Sequence, residues 1–313
     1  MDVTVPPRLP LGVLPTPLVA ADRLRAALGC DPVRLKRDDL AGFEVAGNKT
    51  RALEYLLGDA AAGGADVLVT GGGPDSNFIP AAALAARVAG LDCELVVWGS
   101  AVPDTGAPDS GRPGGTPNLD LAAAAGPRIR ALGDDPPTRG ACGAEYDGRE
   151  RVDVEVQRVA AELAAQGRRP LALPRGGSTG LGAVGFALGA AELVDQWAQR
   201  AERAHGPPAL VVLSVGSGGS CAGLLAGLAA VNWPLLGVSV SRPPADIRAR
   251  VLDLARQCAE LLGTRPPRPE QLEIVDARGP AFGVASPEDR AAAHLALRTG
   301  GVVAAVIHTS GGA

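Results

Sequence analysis

The chain has 313 residues, is 46% hydrophobic, 20% charged and 3% aromatic, and carries a formal net charge of −4. That composition excludes a disordered chain, and a slightly acidic balance without blocks of like charge argues against a nucleic-acid partner. No apolar run approaches the roughly 18 residues a membrane span needs, and the first seven residues, MDVTVPP, lack the basic flank and apolar stretch of a signal peptide.

Residues 33–40 (VRLKRDDL) read as a short charged strand, and the Gly47-Asn48 turn delivers Lys49 to the start of a helix. Residues 65–70 (ADVLVT) are strand-like, followed by a GGGP turn at 71–74 and a helix over 79–87. A second strand spans 91–98, and a Pro/Gly/Ser/Asp-rich loop runs from 100 to 118. A helix over 119–125 precedes a second loose region at 133–143. Strand 170–174, turn 176–180 and helix 183–199 form the next unit. Strand 210–215, turn 216–220 and helix 222–230 form another, and strand 235–240 follows. The Arg-rich stretch 248–256 reads as a solvated face. Strand, glycine turn and helix repeated this often predict an α/β protein with a parallel sheet, and no internal repeat of fixed period is present.

Three of the glycine turns share one grammar: each follows a strand, opens a helix and offers small polar side chains plus free backbone N–H groups. Such turns hold anions, phosphate above all, through oriented N–H groups and the helix dipole. Residues 216–223 (GSGGSCAG) form the best such cup. It is not a dinucleotide fingerprint, because Cys221 stands at the sixth position and no acid follows about 20 residues on. It is not a P-loop, because Gly-Lys-Ser/Thr occurs nowhere. The alternative is a turn that only links strand to helix.

Of 30 basic residues only Lys36 and Lys49 are lysines. A GC-rich codon composition accounts for the bias, but any chemistry needing a lysine amine has only two places to happen. Lys36 reads as a solvated or salt-bridged strand residue. Lys49 sits at a helix start, whose positive potential disfavours an ammonium and frees the neutral amine a Schiff-base lysine needs. The alternative is a surface lysine near a helix start.

PTPL at 15–18, KRDDL at 36–40, GNKTR at 47–51, GGGPDSN at 71–77, PRGGS at 174–178 and GSGGS at 216–220 fall in one order and spacing. Together they resemble the fold-type II pyridoxal-phosphate enzymes, above all the 1-aminocyclopropane-1-carboxylate deaminase and D-cysteine desulfhydrase branch. The resemblance implies a tryptophan synthase β-like fold: two three-layer α/β/α domains with mostly parallel sheets. The larger, cofactor-binding domain would comprise 1–50 plus 158–313, and the smaller 51–157. Lys49 would bind the cofactor covalently and then move the Cα proton. Asn48 and Asn77 would join the cofactor site, Asn77 on the 3-oxygen. Gly216, Ser217, Gly218, Gly219 and Ser220 would cradle the 5′-phosphate, and Thr309 would lie beside the pyridine nitrogen. The substrate would face Ser76, Asp75, Phe78, Arg175, Ser178, Phe282 and His308, with Ser76 and His308 sharing the catalysis.

Several positions depart from the family pattern. His308 and Phe282 stand where the family has tyrosines, Asp75 where it commonly has Gln, and Phe78 where it has a polar residue or His. Ala52 replaces a basic residue that helps hold phosphate, and Arg175 adds a cation beside Gly176. The implied reaction is a lyase or deaminase step on a small amino acid. Cα deprotonation or ring opening with β-elimination would give a keto acid and ammonia, on a non-standard substrate in a biosynthetic pathway. β-Replacement and a non-catalytic cofactor binder are the alternatives within this fold. A serine hydrolase is a third, because residues 176–180 match GxSxG around Ser178, with Asp276 and His308 following. It leaves Lys49 and the Ser76-Asn77 pair unexplained.

His205 and His294 lack a metal partner four residues on, and no metal is expected. Trp98, Trp197 and Trp233 read as core or interface. Five scattered cysteines without a CxxC pair fit reduced thiols and a cytoplasmic protein. The family suggests a homodimer.

Overall fold

The computed structural model describes residues 5–98, 116–132, 144–199, 206–279 and 286–300. The expected loops at 100–118 and 133–143 lie outside them, except 116–118. There Thr116 caps the helix α4 (Pro117–Ala124), and Pro117 opens it with a φ already suited to a first turn.

Four parallel strands form the first sheet: β3 (Val67–Gly72), β4 (Asp92–Trp98), β5 (Arg128–Leu132) and β6 (Pro170–Ala172), in the order β5-β4-β3-β6. Every residue of β3 is buried, as a strand covered on both faces must be. Val67, Val69 and Val96 turn one way, onto Val152, Val156 and Val159 of helix α5 (Ala144–Ala165). That stripe repeats at helical spacing. Leu68 turns the other way, among residues of α2 (Lys49–Ala62) and α3 (Phe78–Val88). Leu95 and Val97 meet α3 and α4. Each such fully buried aliphatic side chain contributes about 1.5–3 kcal/mol. Helix α5 runs without a break through residue 157, and β6, beyond it, pairs with β3.

A second parallel sheet holds β7 (Val211–Val215), β8 (Leu235–Ser239) and β9 (Leu272–Asp276) in that order. Val215, Leu235 and Leu272 share one core with α7 (Gly219–Leu228) and α8 (Pro244–Leu262). Near the N-terminus β1 (Leu18–Ala20) and β2 (Arg34–Lys36) pair antiparallel. Between them lies α1 (Asp22–Leu28), which packs on α9 (Pro287–Gly300) and donates a hydrogen bond from Arg23 to the Arg298 carbonyl at 2.8 Å.

Helix α6 (Gly180–Ala198) joins the two halves. A Cβ on Gly185 would sit 1.9 Å from the Arg51 carbonyl of α2, and one on Gly223 of α7 would sit 2.2 Å from the Ala183 carbonyl of α6. These glycines let three backbones pack at a distance no side chain would permit, and so fix α2 relative to α7. Among the described residues no helix is long and apolar enough to cross a membrane.

Candidate active site

The start of α2 is held by a buried ionic hub. Arg51 is fully buried. Its guanidinium donates to Asp38 at 2.8 and 2.9 Å, to Glu192 at 2.7 and 3.0 Å, and to the Thr16 hydroxyl at 3.0 Å. Burial alone would lower its affinity for the proton, but the hydrogen bonds to Glu192 and Asp38 outweigh that and raise it. Lys36 donates to Glu192 at 2.8 Å, Gln196 at 3.0 Å and the Thr16 carbonyl at 2.6 Å. The conspicuous charges of KRDDL and GNKTR thus serve largely to anchor α2.

Lys49, the first residue of that helix, is treated differently. Among the described residues its Nζ has no hydrogen-bond or ion-pair partner. The side chain keeps some surface in solvent, yet surrounding protein crowds the amine, and that desolvation pushes its pKa below the ordinary 10.5. The cause is burial with no neighbouring cation. Of the two lysines, only Lys49 has an amine free to react.

The turns converge beside it. Asn48 donates to the Ser220 hydroxyl at 3.3 Å, which joins the lysine turn to the start of α7. Ser178 donates to Ser217 at 2.6 Å, and a Cβ on Gly176 would lie 2.7 Å from the Ser217 hydroxyl. Gly176, Gly177 and Gly218 have φ of 72°, 63° and 96°, a region costly for any residue with a Cβ. Helix α7 has no side-chain cap, and the first backbone bond at its start is Ala222 N–H to Gly218 C=O. The N–H groups of its first turn therefore remain to receive a ligand. A Cβ at Gly216 would meet nothing within 4 Å, so the turn opens onto free space.

Asp75, Ser76 and Asn77 lie half-buried at the start of α3, where the Ser76 hydroxyl accepts from Phe78 N–H at 3.3 Å. Asn118 fixes this turn, donating to Asn77 Oδ1 and to the Asp75 carbonyl, both at 2.8 Å. Phe78 is only 2% exposed, with its ring in the core beneath Gly177. Arg175 is paired with Asp153 of α5 at 2.9 Å. Ser178 is 4% exposed and bound to Ser217, while Asp276 is tied to Arg278 at 2.7 Å. Phe282, His308 and Thr309 lie outside the described residues.

Sequence reading missed two contributors. Asn118 closes a stretch expected to be loop. Arg250 falls in the stretch read as a solvated face, which Arg256, paired with exposed Asp253 and Glu260, indeed occupies. Arg250 instead turns inward, donating to the Ser217 carbonyl at 3.0 Å and to the Ser178 carbonyl at 3.4 Å. Only the packing of α8 on the turn reveals this.

Two parallel sheets with a free amine beside a phosphate-type turn define a fold-type II cofactor enzyme. The chain belongs to the pyridoxal-phosphate dependent enzyme family, which residues 9–312 match. It is 33% identical over 305 residues to a D-cysteine desulfhydrase of Salmonella typhi, a match covering 97% of this chain and 85% of that one. It is 35% identical over 259 residues to a provisionally named 1-aminocyclopropane-1-carboxylate deaminase of Pyrococcus abyssi, covering 82% and 70%. A solved 1-aminocyclopropane-1-carboxylate deaminase homologue superposes over 95% of this chain and 82% of its own, with a TM-score of 0.75 at 28% identity. A fungal L-serine ammonia-lyase from Rhizomucor miehei shares the fold, at a TM-score of 0.58 and 20% identity over 96% of this chain and 86% of its own. The enzyme depends on pyridoxal phosphate, and its membership sets the hydrolase reading of Ser178 aside. The residues fit the cofactor: a desolvated, unpartnered amine for its carbonyl lies one residue from Asn48, which touches the uncapped helix start suited to its phosphate.

Proposed function

We propose that the protein is a lyase or deaminase that takes a small amino acid to a keto acid and ammonia. The observation that carries this reading is the Asn48–Ser220 contact, which sets the free amine of Lys49 next to the phosphate-type turn. Bound pyridoxal phosphate supplies the electron sink that acidifies the substrate Cα–H. Lys49 Nζ takes and returns that proton, a task suited to an amine whose pKa burial lowers. Gly216–Ser220 hold the 5′-phosphate, and Asn77, oriented by Asn118, holds the 3-oxygen. Ser76 presents its hydroxyl to the substrate carboxylate. The resemblance alone would put His308 and Phe282 at the family's tyrosine positions and Thr309 beside the pyridine.

The names of the relatives supply the substrates to try first: D-cysteine and 1-aminocyclopropane-1-carboxylate, with D- and L-serine beside them. We further assign a cytoplasmic homodimer of two-domain subunits, with the end of the smaller domain, expected at 157, moved beyond β6, which pairs with β3. The four free thiols among the described residues, Cys30, Cys93, Cys221 and Cys258, support the reducing compartment. The test measures keto acid and ammonia released from each substrate. Equal amounts of both from one substrate are expected, with none from Lys49→Ala. A protein that binds the cofactor yet releases neither product from any of the four would overturn the reading.

A further inference from the structure

Pyridoxal phosphate carries a dianion, and helix N–H groups alone are a modest match for two charges. At position 52 this chain has a buried alanine, 3% exposed, and so no cation there. Neither lysine can serve: Lys36 is bound to Glu192, and Lys49 is the reactive amine. The arginines near the site are mostly neutralised, Arg51 by Asp38 and Glu192, and Arg175 by Asp153. Arg250 is the exception, with no carboxylate partner among the described residues.

Its contacts are specific. The guanidinium of Arg250 spans both glycine turns, with Nε on the Ser217 carbonyl and a terminal nitrogen on the Ser178 carbonyl. The same two residues are also joined through their hydroxyls. In a trans peptide C=O and N–H point in opposite directions. Holding the Ser217 carbonyl toward α8 therefore aims the Gly218 N–H away from it, into the turn. Ile247 and Val251, one turn apart on the same helix α8, pack where a Gly218 Cβ would be, which fixes the helix at this distance.

We propose that Arg250 is the positioning residue of the phosphate-binding turn, fixing the Ser217–Gly218 peptide and supplying the uncompensated positive charge that position 52 lacks. This rests on the assignment of the turn to the cofactor phosphate. Arg250 would act on the phosphate group through the turn and its charge, and not on the rest of the cofactor, so its effect must depend on that group.

The experiment strips the cofactor and titrates the protein with pyridoxal phosphate and, separately, with pyridoxal, following the absorbance of the bound chromophore. Arg250→Gln is expected to weaken pyridoxal phosphate by about tenfold to a hundredfold, or about 1.4–2.8 kcal/mol, and to leave pyridoxal within about twofold. Arg250→Lys keeps the charge but not the two-pronged grip, and is expected to fall between. If Arg250→Gln does not fold, Arg250→Lys carries the comparison, with a loss confined to the phosphorylated ligand expected. Equal losses for both ligands, or no loss for either, would overturn the proposal. Failure of the unaltered protein to bind pyridoxal phosphate more tightly than pyridoxal would instead sink the assignment of the turn.

Discussion

Lys49 and Lys36 differ in what surrounds their amines, and the difference makes predictions about each. Lys36 gives all three of its hydrogens to Thr16, Glu192 and Gln196, so its amine is expected to be held away from the cofactor and unreactive. Borohydride treatment of the loaded protein should fix the cofactor on Lys49. Lys49→Ala should lose the label and Lys36→Ala should keep it, as mass spectrometry of the peptides will show. The lowered pKa of Lys49 also has a stability consequence. Between its depressed folded value and 10.5 the unfolded chain binds more protons at this residue, so its cost to stability is largest at lower pH and disappears as pH rises. Lys49→Met should therefore raise the melting temperature of the cofactor-free protein at neutral pH, and the gain should shrink as pH rises and vanish above about pH 10.5. A lower melting temperature at neutral pH would contradict a desolvated ammonium. The lysine was legible in the sequence because GNKTR is a local pattern, but the reason for its reactivity was not. The helix start suggested a dipole effect, whereas burial of the amine is what lowers its pKa. Phe78 shows the same limit: its place after Ser76-Asn77 suggested the substrate, while the spacing of Phe78, Ala82 and Ala85 marks the buried stripe of α3.

Helix α6 shows how an element far from the chemistry sets it. The Arg51 carbonyl lies two residues past Lys49, and Gly185 is what allows α6 to reach it. Gly185→Ala would force the backbones apart, a cost of about 3 kcal/mol at the upper end of overpacking effects, and would shift Lys49 relative to Ser220. A lower denaturant midpoint together with weaker cofactor binding is expected. Gly63→Ala, at the end of the same helix α2, serves as the control. Its φ is −78° and its Cβ would make only ordinary contact at 3.4 Å, so stability should stay within about 0.5 kcal/mol. The strands that alternate with glycine turns were readable from their apolar runs. Strand β5 was not, because it is an edge strand whose Arg128 and Arg130 flank Ile129 and pair with Glu94 across the sheet. Helix α5 escaped notice because its buried apolar stripe, Val152, Val156, Val159, Ala160 and Leu163, is interleaved with charged residues. Such elements are specified by their partners more than by their own composition.

At the scale of the molecule, the ionic hub ties together segments that lie far apart in the chain: Thr16, Lys36, Asp38, Arg51 and Glu192. Glu192 is its hinge, since among the described residues it is the one carboxylate that bonds both Lys36 and Arg51. Burial alone would raise the Glu192 carboxyl, but hydrogen bonds from Arg51 and Lys36 more than offset it and hold the group below the ordinary 4.5. A carboxyl depressed on folding contributes stability that is fully present above about pH 4.5 and is lost as pH falls through the folded value. Loss of Glu192 leaves two cations short of a partner, which in a fully buried site costs about 3–5 kcal/mol. Here the Glu192 side chain is 18% exposed and Asp38 still holds Arg51, so Glu192→Gln should cost about 2 kcal/mol at pH 7. Melting curves from pH 7 down to pH 3 test this. The unaltered protein should lose stability steeply below pH 4.5, while Glu192→Gln should start lower and fall less, so that the two curves approach each other in acid. Parallel curves would show that the hub does not hold the fold in this way. Because α2 is the element the hub anchors, cofactor binding by Glu192→Gln should weaken even at neutral pH.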